Sequence, residues 1–317
     1  MSDAPKKSKQ GMWFWALAFL MMVSAAIYQR LTGPANPLRG SVNIGGQQLK
    51  YRLPRSAENI GDASIVIPDP GAKAKDIGNA GIVMPEPDDN AENVSGANMA
   101  IPAPGVSARV LWRRYPTDDP FNVVFMSPES DGEKKILKAN IPPQQAAGKV
   151  EYRIEIDDTN GQTVISDNGE TVILRFKGPV SAPLLLSHIF LMFAAMLTST
   201  RAGLGALSAR REKILPWATL GLILVGGFIL GAFVQKQAFG AYWTGWPLGW
   251  DVTDNKTLIM FIGWLIACLL INRVKLWRLL VPLAAVITLI VYLIPHSLRG
   301  SQLDYQQGAV QLVQTDQ

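Results

Sequence analysis

The sequence holds two histidines, His188 and His296, and no other side chain of that kind. A neutral imidazole is a common metal ligand, so a pair of them held on one side of a protein could ligate a single ion. The second chemically suggestive stretch runs from Phe239 to Thr257, FGAYWTGWPLGWDVTDNKT. It places Trp243, Trp246 and Trp250 three and four residues apart, followed at once by Asp251, Asp254, Asn255 and Lys256. The indoles form an apolar shelf on which a flat ring system could stack. Taken singly they also fit the aromatic belt found at membrane interfaces. The polar residues do not belong to a belt. Asp251, Asp254 and Asn255 precede the apolar run that starts at Leu258, where an Asx side chain caps a helix and a carboxylate suits its dipole. One such residue suffices for capping, leaving the others for the loop.

These groups must be positioned by apolar segments. The 317 residues are 48% hydrophobic and 17% charged, with a net charge of +5 and a pI near 9.3. Residues 1–29 read as a cytoplasmic tail and transmembrane anchor, because Lys6, Lys7 and Lys9 precede the run Met12 to Ile27. Ser24-Ala25-Ala26 leaves signal-peptide cleavage open as an alternative. Residues 181–300 read as a four-helix transmembrane module, with spans at 183–200, 214–234, 257–271 and 279–295, each near the roughly 20 residues a bilayer core requires. Arg201, Arg210, Arg211 and Lys213 lie in one connection, and Arg273, Lys275 and Arg278 in another. Cationic loops face the cytoplasm. The tryptophan loop, with Lys236 and Lys256 against Asp251 and Asp254, has no such excess and faces outward.

The predicted topology is therefore five spans of a bacterial inner membrane, with the N-terminus cytoplasmic and residues 30–180 external. The tail, residues 301–317, is external too. His188, at the start of the second span, and His296, after Pro295 at the end of the fifth, come to similar depth on the outer face. The basic balance is explained by these loops and implies no nucleic acid. Pro216 and Pro282 are expected in first turns, and Gly226, Gly227 and Gly231 at close helix contacts. Cys268 is the single cysteine, so the chain builds no disulfide and no thiolate metal site. It reads as a small buried apolar residue.

Residues 30–180 carry short alternating or β-branched runs at Ser41–Ile44, Gln48–Leu53, Ser64–Ile67, Ala108–Tyr115, Asn122–Phe125, Val150–Ile156 and Thr171–Phe176. This spacing predicts an immunoglobulin-like β-sandwich. In Val150 to Ile156 the apolar residues alternate with Glu151, Arg153 and Glu155, predicting one buried and one wet face, with a hairpin at Asn160-Gly161. A degenerate repeat interrupts the domain at 62–105: SIVIPDPG, GIVMPEPD and NMAIPAPG, with Pro68, Pro85 and Pro102 evenly spaced. It reads as a duplicated exposed loop, each copy able to supply one short strand. The acidic residues here are dispersed among turns and strand faces, with no catalytic constellation, which points away from an enzyme.

Two histidines flanking an external tryptophan-rich loop that ends in Trp-Asp resemble the haem-handling membrane proteins of cytochrome c maturation. The matching residues are Gly240, Trp243, Trp246, Trp250 and Asp251, with His188 before and His296 after. The tryptophan spacing differs, Pro247 and Gly249 interrupt the motif, and the spans are fewer than in that family. The chain is also similar to bacterial inner-membrane proteins of unassigned function that carry a TGWP, GWD or TDNKT segment and a terminal IPHS tract, here Ile294 to Ser297. The first resemblance implies haem b, ligated by His188 and His296 and covered by the tryptophans, for redox or delivery. The alternative is a non-enzymatic scaffold whose external domain binds an envelope protein. Both sets of expectations describe an α+β membrane protein in contact with the lipid bilayer.

Overall fold

The computed structural model describes residues 4–71, 106–132, 134–158, 161–208, 212–273, 275–295, 302–305 and 309–311. The second and third copies of the repeat, and His296, lie outside them. The chain divides into a β unit, Ala35–Lys177, and a helical unit formed by Met1–Pro34 and Gly178–Gln317.

The β unit opens with the hairpin β1 (Leu38–Ile44) and β2 (Gln47–Leu53). One sheet then runs β3 (Ser56–Glu58), β11 (Val172–Lys177), β9 (Lys149–Asp158), β5 (Ser107–Arg114), β6 (Asn122–Phe125), with β10 (Gly161–Ile165) also on β9. A second sheet runs β4 (Ala63–Pro68), β8 (Lys134–Ile141), β7 (Ser127–Asp131). All pairings are antiparallel except β3 with β11. Ile44 and Leu49, Ile65 and Ile67, Val110, Ile141, Tyr152 and Ile154, and Leu174 and Phe176 join one apolar core across the sheets. Gly161 pairs with Asp158, as the Asn-Gly signal predicts.

Two features depart from the sequence reading. The outer face of β9 is not wet: Glu151 and Glu155 are only 7% and 8% exposed. β9 is flanked by strands on both sides, and cations from β5 close over its carboxylates. Arg113 Nε donates to Glu151 at 2.6 Å, and Arg109 Nε and Arg153 Nε donate to Glu155 at 2.9 and 3.1 Å. Phe121 lies under the Arg113 and Arg153 guanidinium groups, 4.6 and 5.1 Å from its ring centre. Secondly, the first copy of the repeat is not an exposed loop, although the strand expected at Ser64–Ile67 is present. It forms β4, with Ala63, Ile65, Ile67 and Pro68 buried, because its alternation matches the core edge that β8 leaves open.

The helical unit contains α1 (Ala4–Thr32), α2 (Ala182–Leu207), α3 (Ile214–Ile223), α4 (Gly231–Phe239), α5 (Val252–Leu270) and α6 (Trp277–Leu293). A π-helical turn, Leu224–Leu230, makes α3 and α4 one continuous helix. Among the described residues, four helical segments are long and apolar enough to cross a membrane: Gly11–Thr32, Ala182–Leu207, Ile214–Phe239 and Val252–Leu270. The fifth expected span is the shorter apolar helix α6, of 17 residues. It starts two residues before the expected boundary, so Pro282 sits inside it rather than in its first turn. Residues Gln302–Asp304 and Ala309–Gln311 pair as two short strands, β12 and β13.

The helices approach through small residues. A Cβ on Gly203 would lie 2.6 Å from that of Ala285, one on Gly226 2.9 Å from that of Leu191, and one on Gly227 2.9 Å from Thr257 Cγ2. Such contacts let helix backbones pack closely where lipid supplies no hydrophobic drive between helices. Some polar groups are paired between helices: Trp264 Nε1 donates to Thr288 Oγ1 at 2.8 Å, and Thr219 to Thr198 at 2.9 Å. At the end that carries the tryptophan loop, the Gln29 amide donates to the carbonyls of Tyr292 and Ile294, and the Tyr292 hydroxyl donates to Met192 O. Lys256 Nζ donates to Ile294 O at 2.7 Å. α1, α2, α5 and α6 are thereby tied together near this end.

Candidate functional site

The loop from Gly240 to Asp251 is built on the first turn of α5. Gly240 ends α4 in the left-handed region, φ +87°, its N–H returning to Lys236 O at 2.9 Å. This is the position where a residue without Cβ terminates a helix at little cost. Asp251 caps α5: its Oδ1 accepts from Thr253 N at 2.7 Å and from Asp254 N at 3.4 Å, while its own N–H donates to Thr244 O at 3.0 Å.

Asp254 faces back into the loop. Its Oδ2 accepts from Thr244 N at 2.6 Å, Thr244 Oγ1 at 3.2 Å and Gln235 Nε2 at 3.0 Å. Asn255 Oδ1 accepts from Trp246 N at 2.6 Å. A turn closes through Leu248 N and Gly249 N, each 2.9 Å from Gly245 O. Gly245 must be glycine for close approach, since a Cβ there would lie 2.5 Å from Asp254 Cβ and 2.9 Å from Asn255 Oδ1. The run Asp251, Asp254, Asn255 and Lys256 thus serves one helix cap, two loop anchors and one tie to α6.

The tryptophans divide. Trp243 turns inward, stacked on Phe228 with ring centres 5.2 Å apart and planes 16° apart, and its Nε1 donates to Trp246 O at 3.2 Å. Phe228 meets Phe261 of α5 edge-on at 5.1 Å. Trp246 and Trp250 point away, 58% and 65% exposed, with Leu248 between them at 79%. The three indoles therefore do not form one surface: one fastens the loop, and two are displayed by it.

His188 sits in the second turn of α2, with Nδ1 donating to Gly226 O at 2.9 Å. Only a protonated Nδ1 can donate to a carbonyl, so the neutral ring carries its free lone pair on Nε2. Gly226 belongs to the π-helical turn, a feature frequent at functional sites. His188 and Trp243 thus both rest on the turn Leu224–Leu230, through Gly226 and Phe228. His188 packs on glycine, at Gly226 and Gly231, rather than on an indole. His296 lies outside the described residues. Tyr292, four residues before it in the sequence, is bonded to Met192, one turn after His188.

Gln235, Thr244 and Gly245 carry much of this geometry and were not singled out by sequence. Their signal was indirect: a short loop containing more acceptors than one helix cap uses needs donors nearby. Among the described residues no three of histidine, cysteine, aspartate and glutamate group to hold a metal ion. Comparison with protein-family models, curated proteins and solved structures finds no match to this chain.

Proposed function

We propose that this chain is an integral protein of a bacterial inner membrane that presents a rigid apolar surface at the loop end of its helices, and that this surface takes a flat hydrophobic ligand such as haem b. The observation that carries the reading is the division of labour in the loop. Its polar side chains are turned inward to fix the backbone, while Trp246, Leu248 and Trp250 remain outside. Exposed aromatic side chains on a fixed backbone lose little conformational entropy on binding.

The fit to haem is partial. His188 offers Nε2 in the tautomer a ligand needs, since a ligating imidazole typically donates its other N–H to a carbonyl. Trp246 and Trp250 are available as cover, whereas Trp243 is committed to Phe228. His296 is the proposed second ligand. Protein purified from haem-sufficient cells is expected to be coloured with a sharp Soret band, and His188→Ala and His296→Ala are each expected to change the spectrum. Colourless protein that also takes up no added haem removes this reading.

The second reading is a scaffold whose β unit grips an envelope protein. It is supported by Val123 and Phe125, which stand 51% and 66% exposed on β6, an edge strand. Apolar edge strands are sites for pairing with another chain. The sheets β3-β11-β9-β5-β6 and β4-β8-β7 support an immunoglobulin-like sandwich, with β10 and the β1–β2 hairpin as additions. In either reading the cationic connections support a tryptophan loop and a β unit outside the cytoplasm, although Arg201, expected in one of them, lies buried within α2. A reporter fused at Ser208 is expected to be active only in the cytoplasm, and one after Gln317 only outside. The opposite pattern inverts the proposed orientation.

A further inference from the structure

Two stripes run along the half of α1 nearer the tryptophan loop. The first, at Ala18, Met22, Ala25 and Gln29, repeats at helical spacing and faces the other helices. Ala18 and Ala25 are buried, Met22 packs on the helical core, and the Gln29 amide is bonded to α6. These contacts fix the rotation of α1 about its own axis. The second stripe, at positions 22, 23, 26, 27, 30 and 31, falls beside the first, and with Phe193 of α2 it lines a groove of about 320 Å³.

The shape of the groove follows from its residues. Ala26 is its only small side chain, with Met22 and Val23 one turn before it and Arg30 and Leu31 one turn after it. The bulk on either side leaves a depression over Ala26, and Phe193 forms the opposite wall. Apart from Arg30 every lining residue is apolar, and Ile27, Leu31 and Phe193 stay exposed along it. Both helices are among those long and apolar enough to cross a membrane, so hydrocarbon is the medium that this surface suits.

The dimensions fit one lipid chain. From Met22 to Leu31 the helix rises about 14 Å, close to the depth of one leaflet, about half of a hydrocarbon core of roughly 30 Å. A volume of about 320 Å³ is about twice the roughly 150 Å³ that holds a benzene, which gives room for about a dozen chain carbons. The groove alone does not select an occupant, because a chain gains little by leaving the bilayer for an equally apolar surface.

Selection falls to Arg30, at the end of the groove nearer the tryptophan loop. None of the ion pairs among the described residues involves it. The carboxylates of that loop are engaged elsewhere, Asp251 with the first turn of α5 and Asp254 with Thr244 and Gln235. A guanidinium presents a planar fork of donors that matches a phosphate in a bidentate contact. An arginine at a helix end also reaches the interface simply to keep its charge hydrated. Hydration does not require an apolar groove, one leaflet deep, running from the same residue.

We propose that α1 and α2 hold one anionic glycerophospholipid of the leaflet at the tryptophan-loop end, with an acyl chain lying in the groove over Ala26 and the phosphate on Arg30. The site is independent of haem and rests only on contact with the bilayer.

In the test, full-length protein is freed of lipid in detergent and titrated with phosphatidylglycerol, and bound copies are counted by native mass spectrometry. One copy per chain is expected to persist at collision energies that strip all others. Phosphatidylcholine, whose own ammonium competes for its phosphate, is expected to bind severalfold more weakly, and inorganic phosphate not measurably. Arg30→Gln is expected to weaken phosphatidylglycerol binding about tenfold, the loss of one charge-assisted contact, and Arg30→Lys less. Ala26→Leu, which fills the groove, is expected to weaken it severalfold with thermal unfolding unchanged. Arg278→Gln, at the opposite end of the helices, is expected to change nothing. Equal affinity for phosphatidylcholine, inorganic phosphate binding as tightly as the lipid, or copies all lost together at low energy overturns the proposal. Unchanged binding in Arg30→Gln or in Ala26→Leu overturns it as well. The headgroup comparison uses the unaltered protein, so it decides the matter even where a variant fails to fold.

Discussion

Asp254→Ala is expected to destabilise the helical unit by about 3 kcal/mol, and Asp251→Ala by about 1 kcal/mol, although both acids lie at the start of α5. Asp251 performs the ordinary duty of a cap, accepting from Thr253 N and, at a long 3.4 Å, from Asp254 N. Asp254 holds Thr244 N at 2.6 Å inside the loop, together with Thr244 Oγ1 and Gln235 Nε2. Removing the carboxylate leaves a buried N–H without an acceptor, and bonds to charged acceptors contribute about 1.5–3 kcal/mol. Asp254→Asn keeps an oxygen in place and should recover more than half of the loss. Unfolding in detergent, followed by tryptophan fluorescence, gives the three values. If Asp251→Ala proves the more damaging, the loop is held chiefly by its helix cap and the anchoring role assigned to Asp254 is wrong. If Asp254→Ala leaves stability intact but alters a bound cofactor's spectrum, the residue belongs to the ligand site.

What the sequence made legible follows from how local each signal is. The apolar runs of α1 to α5 and the alternation of β9 are properties of consecutive residues, and both were readable. The capping role at the start of α5 was readable for the same reason, since Asx residues immediately precede the run. The strand β8 was missed because Lys134, Lys135 and Lys138 mask its pattern; it is a strand because β4 and β7 pair with it on either side. The burial of Glu151 and Glu155 could not be read from β9 alone, because the arginines that cover them come largely from β5. In the candidate site the spacing of the tryptophans suggested one shelf. Their division depends on Phe228, which the π-helical turn presents to Trp243, and no count along the loop reveals a partner on another helix.

Trp264→Ala should be the most damaging single substitution in the helical unit, at about 4 kcal/mol. Trp264 is fully buried between α5 and α6 and is the largest such side chain among the described residues. Two contributions compete: the volume of the indole, and the 2.8 Å bond from its Nε1 to Thr288 Oγ1. Between helices in a bilayer the hydrogen bond is worth only about 0.6 kcal/mol, because a separated helix finds other partners or needs none. Packing has no such substitute, as a cavity left by an indole forfeits many dispersion contacts at once. Trp264→Phe, which deletes the donor and keeps most of the ring, is therefore expected to cost about 1 kcal/mol, and Thr288→Val a similar amount. Thr288 also donates to Ala284 O at 2.8 Å, so its hydroxyl is held in place before the indole arrives and little ordering cost is added. Thermal unfolding of the three variants in the same detergent separates the contributions. A loss on Trp264→Phe equal to that on Trp264→Ala would show that the polar pair, not the filled volume, joins α5 to α6.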